Sequence, residues 1–138
     1  MSSASFTNNG GPCGNRTKIA ITSQGLPWTG GNMTSAPVSG GRDGTLTIRN
    51  FKIKGDADKF GGITCFFAGD LTAEVFNPTN PNRPHIDIAQ QQLRVREAVF
   101  SKATGSNFLC PSTVKVSGVY QMRGQSSTGY DVPLFITS

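Results

Sequence analysis

Charged side chains are scarce in this chain of 138 residues. Asp, Glu, Lys and Arg make up 15% of it, against roughly 25% in an average soluble protein. Glycine and proline are abundant instead, with 17 and 8 residues. Helical enzymes normally carry more Glu, Lys, Ala and Leu, whereas short strands joined by tight turns need Gly, Pro and Asn for their unusual φ angles. The composition therefore favours an all-β domain.

Residues for catalysis and metal binding are also few. His85 is the single histidine, so a Ser–His–Asp or Cys–His site would have to use it, with Asp87 on the same strand parity. We favour the alternative of an ordinary surface histidine. No G-x-S-x-G, C-x-x-C or H-x-x-x-H motif is present, and Glu74 and Glu97 are the only glutamates for glycoside hydrolysis. We predict a protein that is not an enzyme, with no catalytic residues, no metal site and no cofactor.

Long apolar runs are absent as well. No stretch approaches the roughly 18 to 20 residues that a membrane-spanning helix needs, so we expect no membrane span. The first 17 residues lack the charged segment and apolar core of a signal peptide. Two interpretations compete: a cytosolic protein, or a mature chain whose leader has been removed and replaced by Met1. The small polar start SSAS favours the second, and we expect a secreted protein.

The positive charge does not follow the pattern of a nucleic-acid site. The formal net charge is +5, but the 13 lysines and arginines are scattered along the chain. The closest pairs on one strand parity are Lys52 with Lys54 and Arg94 with Arg96. Aromatic rings do not alternate with them as a base-stacking surface requires. We therefore do not expect nucleic acid as a partner.

Strict alternation of apolar residues gives the strongest structural signal, in the segment 63–75. Ile63, Cys65 and Phe67 share one parity, and the same parity continues with Leu71 and Val75. Only an extended strand places alternate residues on one face. The segment is therefore predicted as a half-buried β-strand, with Gly69 as the place of a break if the strand has one.

Similar alternation predicts further strands at 18–22, 44–54, 85–88, 113–122 and 131–137. In 44–54 the apolar parity changes after Leu46 and Ile48, which indicates a β-bulge at Arg49-Asn50. Pro133 marks 131–137 as an edge strand. The segment 23–43, rich in Gly, Pro and Ser, is long for a loop inside a compact domain, so it either hides a short strand or has a function.

The segment 88–103 is ambiguous between helix and strand. Its composition favours a helix, yet Leu93, Val95 and Val99 keep strand parity, with Phe100 on the opposite side. Because the rest of the chain is β, we favour the strand and keep one short helix as the alternative. Together these segments predict an antiparallel β-sandwich or barrel of about seven or eight strands. Residues 18–138 would form this single domain, after a flexible arm at 1–17.

Three cysteines leave one thiol over if a disulfide forms. Cys65 lies on the apolar parity of its strand, and Cys110 stands just before another strand. A disulfide between them would stabilise the fold by roughly 4 kcal/mol, because closing the loop lowers the entropy of the unfolded chain. Two buried free cysteines are the alternative. Cys13 is the odd residue, and it is free, pairs between chains, or competes for one of the others.

Several motifs follow one another from Ile63 onward: Ile63-Thr64-Cys65, a polar proline loop, an isoleucine-rich strand, Leu109-Cys110-Pro111 and the VSGVY segment at 116–120. In these features the chain resembles small secreted β-rich proteins of actinobacteria that have no established function. This resemblance extends over about residues 63–122. It implies export, a Cys65–Cys110 disulfide and a β-sandwich. It implies no activity and no site residues.

Aromatic residues are the remaining candidates for a binding surface. Trp28, the only tryptophan, lies in a Pro/Gly frame within 23–43, where its ring could stack on a sugar, or it could instead fill the end of a sandwich core. Phe66 and Phe67 are neighbours and point to opposite faces of a strand, so both faces are apolar there. Phe76 and Phe100 would extend a patch around Phe66 that is buried between copies.

These observations predict a secreted, non-enzymatic β-domain that acts as a structural, self-assembling or surface-interaction protein. In this function it forms a homo-oligomer through Phe66, Phe76 and Phe100. The alternative is a module that binds a carbohydrate or a cell-surface ligand through Trp28 and the segment 23–43.

Overall fold

The computed structural model describes residues 19–28, 30–58 and 62–137. These residues contain seven β-strands and no helix: β1 (Ile19–Ser23), β2 (Asn32–Ser35), β3 (Gly44–Ala57), β4 (Ile63–Phe76), β5 (Gln91–Lys102), β6 (Thr113–Gly124) and β7 (Val132–Pro133). The strands follow the order β1-β3-β4-β5-β6-β7 in the sheet, and β2 also pairs with β3. Antiparallel pairing joins β1 and β2 to β3, and β6 to β7. The predicted all-β class is confirmed, and the ambiguous segment 88–103 contains the strand β5 and no helix.

The chain divides into two compact units. Unit 1 contains Arg49–Asp70, Val99–Lys115 and the described part of Met1–Gly30. Unit 2 contains Gly31–Ile48, Leu71–Ala98 and the described part of Val116–Ser138. Each unit draws on three separate segments, so no single cut in the sequence separates them. The predicted arm at 1–17, with Cys13, lies outside the described residues.

Strand β3 changes its buried face midway, as its sequence predicts. Leu46 and Ile48 are buried, and after two exposed residues the burial resumes at Phe51 and Ile53. Asn50 has a positive φ of 55°, a conformation that asparagine tolerates better than most residues. Its backbone N–H donates to Oδ1 of Asp70 at 3.1 Å. The predicted bulge at Arg49-Asn50 therefore has a side chain as the partner of its displaced amide.

Strand β5 contains a second change of face that its sequence does not announce. Glu97 has a φ of 46°, and its N–H donates to Oγ of Ser117 at 2.9 Å. Beyond it the parity is inverted, so Val99 is 56% exposed and Phe100 is fully buried. The prediction that Val99 shares the buried face with Leu93 is therefore wrong. The extra residue at Glu97 moves every later side chain to the other face.

Strand β4 runs without interruption from Ile63 to Phe76, so no break occurs at Gly69. A Cβ atom placed on Gly69 would lie 3.1 Å from Cδ1 of Phe100. The glycine leaves room for the Phe100 ring beside the backbone of β4. It serves close packing within unit 1, which is a known use of glycine in a strand interior.

Buried side-chain amides characterise unit 2. Gln91 and Gln92 are fully buried, and Asn80 is 8% exposed. Nδ2 of Asn80 donates to Gly41 O and to Oδ2 of Asp43, both at 2.8 Å. These bonds replace regular pairing between loops, because a buried polar group needs a partner.

Asn77 holds the end of the chain in the same manner. Its Nδ2 donates to Ile136 O at 2.9 Å, and its Oδ1 accepts the N–H of Ile136 at 2.8 Å. The predicted strand 131–137 is shortened to β7, and beyond it the backbone of Ile136 pairs with this side-chain amide and not with a strand.

The predicted strand at 85–88 is wrong. Residues 86 and 87 form a turn, and Ile86 is 69% exposed. The Gln92 amide accepts the N–H of His85 at 2.9 Å and donates to its carbonyl at 2.6 Å. One buried side chain thus occupies both backbone groups that a neighbouring strand would have paired.

Candidate functional site

Trp28 lies in the core of unit 1 and not on its surface. It is 5% exposed, and its Nε1 donates to Gln24 O at 2.8 Å. Its ring centroid is 4.4 Å from that of Phe51, which lies 4.8 Å from that of Phe100. The hypothesis that Trp28 stacks on a ligand is therefore wrong, and the core alternative is correct. The segment 23–43 contains β2, so the first alternative for that segment also holds.

Two of the three phenylalanines predicted for self-association are inside the chain. Phe76 and Phe100 are each 0% exposed, so neither can form a surface patch. The bulge at Glu97 turns Phe100 inward. The alternation of residues in the sequence did not reveal this bulge, so it placed Phe100 on the wrong face. Phe66 is half-buried, and its ring lies 3.5 Å from the position of a Cβ on Gly105.

The Cys65–Cys110 disulfide is present, with the two Cα atoms 5.7 Å apart. The loop that leads to Cys110 is pinned to β4 by Ser106, whose Oγ accepts the N–H of Phe66 at 2.8 Å. Nζ of Lys102 donates to Cys110 O at 3.2 Å. Between these anchors Phe108 is 84% exposed and Leu109 is 53% exposed. No pattern in the sequence distinguishes this loop tip.

In unit 2, most of one edge of β6 has no described strand beside it. Strand β7 pairs only with Arg123 and Gly124, so Val116 to Met122 have no described strand on that side. Val116, Tyr120 and Met122 are only half-buried, and Val119 is exposed. Burial raises the pKa of the Tyr120 phenol, which agrees with a ring that lies partly against the sheet. The hydroxyl oxygen of Tyr120 is 3.1 Å from the Cβ position of Gly118.

The polar face of unit 2 carries an arginine-lined cleft of about 330 Å³. Its lining residues come from β3, β4, β5 and the turn before β3: Arg42, Thr45, Thr72, Ala73, Glu74, Arg94 and Arg96. The same-parity pair Arg94 and Arg96 was visible in the sequence. The sequence alone did not show that Arg42 and Glu74 lie close to this pair.

Glu74 is the one carboxylate of this cleft. Its Oε2 accepts hydrogen bonds from Nε of Arg94 at 2.8 Å and from Nε of Arg96 at 3.1 Å. Partial burial raises its pKa, but the hydrogen bonds and charges of both arginines outweigh this effect and lower the pKa overall. Glu74 therefore stays ionised and orients both guanidinium groups.

The hydrogen bonds of His85 give no support to the catalytic alternative, because they involve its backbone and not its imidazole ring. His85 and Asp87 are both exposed, and the bonds of His85 given above are made by its backbone to Gln92. Across the ranges that the structure describes, no three His, Cys, Asp or Glu side chains are grouped to hold a metal ion. The same ranges contain no helix that is long and apolar enough to cross a membrane.

Comparison with protein-family models, with curated proteins and with solved structures finds no match for this chain. Among the described residues, the edge of β6 and the arginine-lined cleft are the features that bear on function.

Proposed function

We propose that this protein is an exported, non-enzymatic structural domain that associates with a second copy of itself through the edge of β6. The observation that carries the proposal is the stretch Val116–Met122, which no described strand pairs on its outer side. Unpaired strand edges present rows of N–H and C=O groups that another strand satisfies readily.

Half-covered apolar side chains next to this edge support the same partner. Val116, Tyr120 and Met122 alternate along β6 and are each only half-buried. A second strand beside them would cover the exposed part of these side chains and satisfy the backbone at the same time. The second copy is a suitable partner because it carries the same edge, and a two-fold contact between identical surfaces closes on itself.

The charges on β6 select the register of this pairing. In an antiparallel dimer with its axis at Gly118, Val116 faces Tyr120 of the second copy, a favourable pairing of a β-branched residue with an aromatic ring. Shifting the axis by one residue to Val119 would bring Lys115 of the second copy towards Arg123. Strand β7 already occupies the edge at Arg123, and like charges brought together there are destabilising. We therefore expect the axis at Gly118.

The disulfide supports export as part of the proposal. Disulfides persist in oxidising compartments and are rare in the cytosol of most organisms. The Cys65–Cys110 bond would then form after export and anchor the loop of unit 1 that carries Phe108.

Cysteine cross-linking tests both the dimer and its register. In a Cys13→Ser background, Gly118→Cys places a thiol on the expected two-fold axis, where it should join two copies under mild oxidation. The added Cβ would meet only the far end of the Tyr120 side chain, so the fold should be retained, and circular dichroism checks this. Non-reducing electrophoresis and native mass measure the dimer.

Gln121→Cys is the matched control, because it lies on the same strand and is exposed. In the expected register its two copies are six residues out of line, or roughly 20 Å apart, well beyond the limit of about 7 Å for a disulfide. It should not cross-link. A monomeric native mass for the unmodified protein, together with no Gly118→Cys cross-link, would refute self-association through β6. Equal cross-linking of both variants would refute the register.

A further inference from the structure

The arginine-lined cleft of unit 2 holds more positive charge than its own residues neutralise. Arg42, Arg94 and Arg96 line it together with a single carboxylate, that of Glu74. Asp43, the neighbour of Arg42, has its Oδ2 engaged by the N–H of Asn77 and by Nδ2 of Asn80. Three guanidinium groups thus share one carboxylate in this cleft.

Glu74 occupies only part of the donor capacity of two of these arginines. Both Arg94 and Arg96 reach it through Nε. A guanidinium group has five N–H donors in a planar fork, so the Nη groups remain for an acceptor in the cleft. No hydrogen bond joins these Nη atoms to a described residue.

Arg94 is also held in place by stacking. Its guanidinium carbon lies 4.6 Å from the centroid of the Phe76 ring, which is fully buried. A cation over an aromatic face is attracted to it, and the Glu74 bond fixes the remaining rotation. This arginine is therefore oriented before any ligand arrives, which lowers the entropy cost of binding.

Arg42 supplies an independent indication of a missing partner. Its Nε is buried and makes no hydrogen bond to the described residues. A buried donor without an acceptor is costly, and such groups in folded proteins usually have one. An acceptor placed in the cleft would satisfy it.

From these contacts we infer that the cleft binds an oxyanion of the phosphate or sulfate type, held by Arg42, Arg94 and Arg96. Such anions suit planar guanidinium forks, which bind their oxygens in pairs. Thr45 and Thr72 add hydroxyl groups to the lining. The volume of about 330 Å³ is near the lower limit of small-molecule sites, so an ester that carries the anion also fits. This site does not involve β6 and does not depend on self-association.

Calorimetric titration of the full chain tests the site, with inorganic phosphate, glucose 6-phosphate and unmodified glucose as probes. We expect both phosphates to bind and glucose not to bind. Equal affinity for the two phosphates would assign the site to the free ion, and tighter binding of the ester would assign it to a phosphorylated ligand. Failure of both phosphates to bind would overturn the inference.

Charge-matched variants separate a defined site from general attraction to a basic protein. Arg42→Gln and Arg96→Gln should each weaken phosphate binding about tenfold or more, as expected for the loss of a hydrogen bond to a charged group. Arg96 is 65% exposed in its side chain, so its replacement should leave the fold intact. Arg123→Gln removes the same charge from β6, outside the cleft, and should change the affinity less than twofold. An equal loss in all three variants would refute the cleft as the site.

Discussion

The two units of this protein are stabilised by different chemistry. Unit 1 packs the rings of Trp28, Phe51 and Phe100 against one another and closes a loop with the Cys65–Cys110 disulfide. Unit 2 has a mostly aliphatic core that also contains the buried ring of Phe76, and its loops are joined by side-chain amides such as those of Asn77 and Gln92.

This difference should appear in how each unit responds to substitution. Loss of volume in an apolar core costs transfer free energy and leaves a cavity. Loss of a buried amide costs little volume but leaves its backbone partners without hydrogen bonds. Unit 1 should therefore be sensitive to side-chain size, and unit 2 to side-chain polarity at constant size.

The largest effect is expected from Phe100→Ala in unit 1. Phe100 is fully buried and stacks on Phe51, and truncation of a buried phenylalanine typically costs about 3 to 5 kcal/mol. Urea denaturation followed by circular dichroism measures the free energy of unfolding. Phe108→Ala is the control, because Phe108 is 84% exposed and its loss should stay within about 0.5 kcal/mol. Similar losses in the two variants would contradict the assignment of Phe100 to the core.

An intermediate effect is expected from Gln92→Met in unit 2. Methionine has a similar size but cannot serve the N–H and C=O of His85 or the carbonyl of Ile88. Leaving these partly buried backbone groups unpaired costs about 1 to 3 kcal/mol, and the same denaturation experiment measures it. Gln121→Met on exposed β6 should cost almost nothing. If Gln92→Met were equally harmless, the proposed role of amides in unit 2 would be wrong.

The smallest effect is expected from the pH dependence of Glu74. Its folded-state pKa is lowered from the ordinary value of 4.5, so the unfolded state binds its proton first as the pH falls. The stabilisation is complete above that ordinary value and is lost as the pH decreases through the lowered pKa. Because the group is partly exposed, we expect less than about 1 kcal/mol.

Glu74→Gln should remove this component of the pH dependence. Unfolding free energies of both proteins, measured between neutral pH and about pH 3, should differ at neutral pH and converge in acid. A constant difference over the whole range would show that ionisation of Glu74 does not stabilise unit 2.

Several features of the fold could be predicted because they depend on neighbours in the sequence. Alternation alone located β4, and the change of parity located the bulge before Phe51. The length and composition of 23–43 left a hidden short strand as one of two alternatives, and the structure contains β2 there. Cys65 and Cys110 were candidates for pairing from their places beside strands, and the bond is present.

Features that depend on distant partners could not be predicted. Glu97 takes a positive φ while Ser117 binds its amide, and nothing near Glu97 in the sequence signals this. This bulge also made the prediction of a self-association patch wrong, because Phe100 lies in the core and not on the surface. Likewise, Gln92 replaced a predicted strand at 85–88 through bonds to His85.

The amino-acid sequence by itself thus determined the class of the fold, most of its strands and the poverty of catalytic groups. These follow from side-chain alternation and composition, which are local properties. Tertiary structure alone decided which aromatic rings are buried, that no described strand pairs with most of one edge of β6, and that Arg42 lines the same cleft as Arg94, Arg96 and Glu74. Register and bulges set these outcomes, since one extra residue in a strand reverses the face of every side chain that follows.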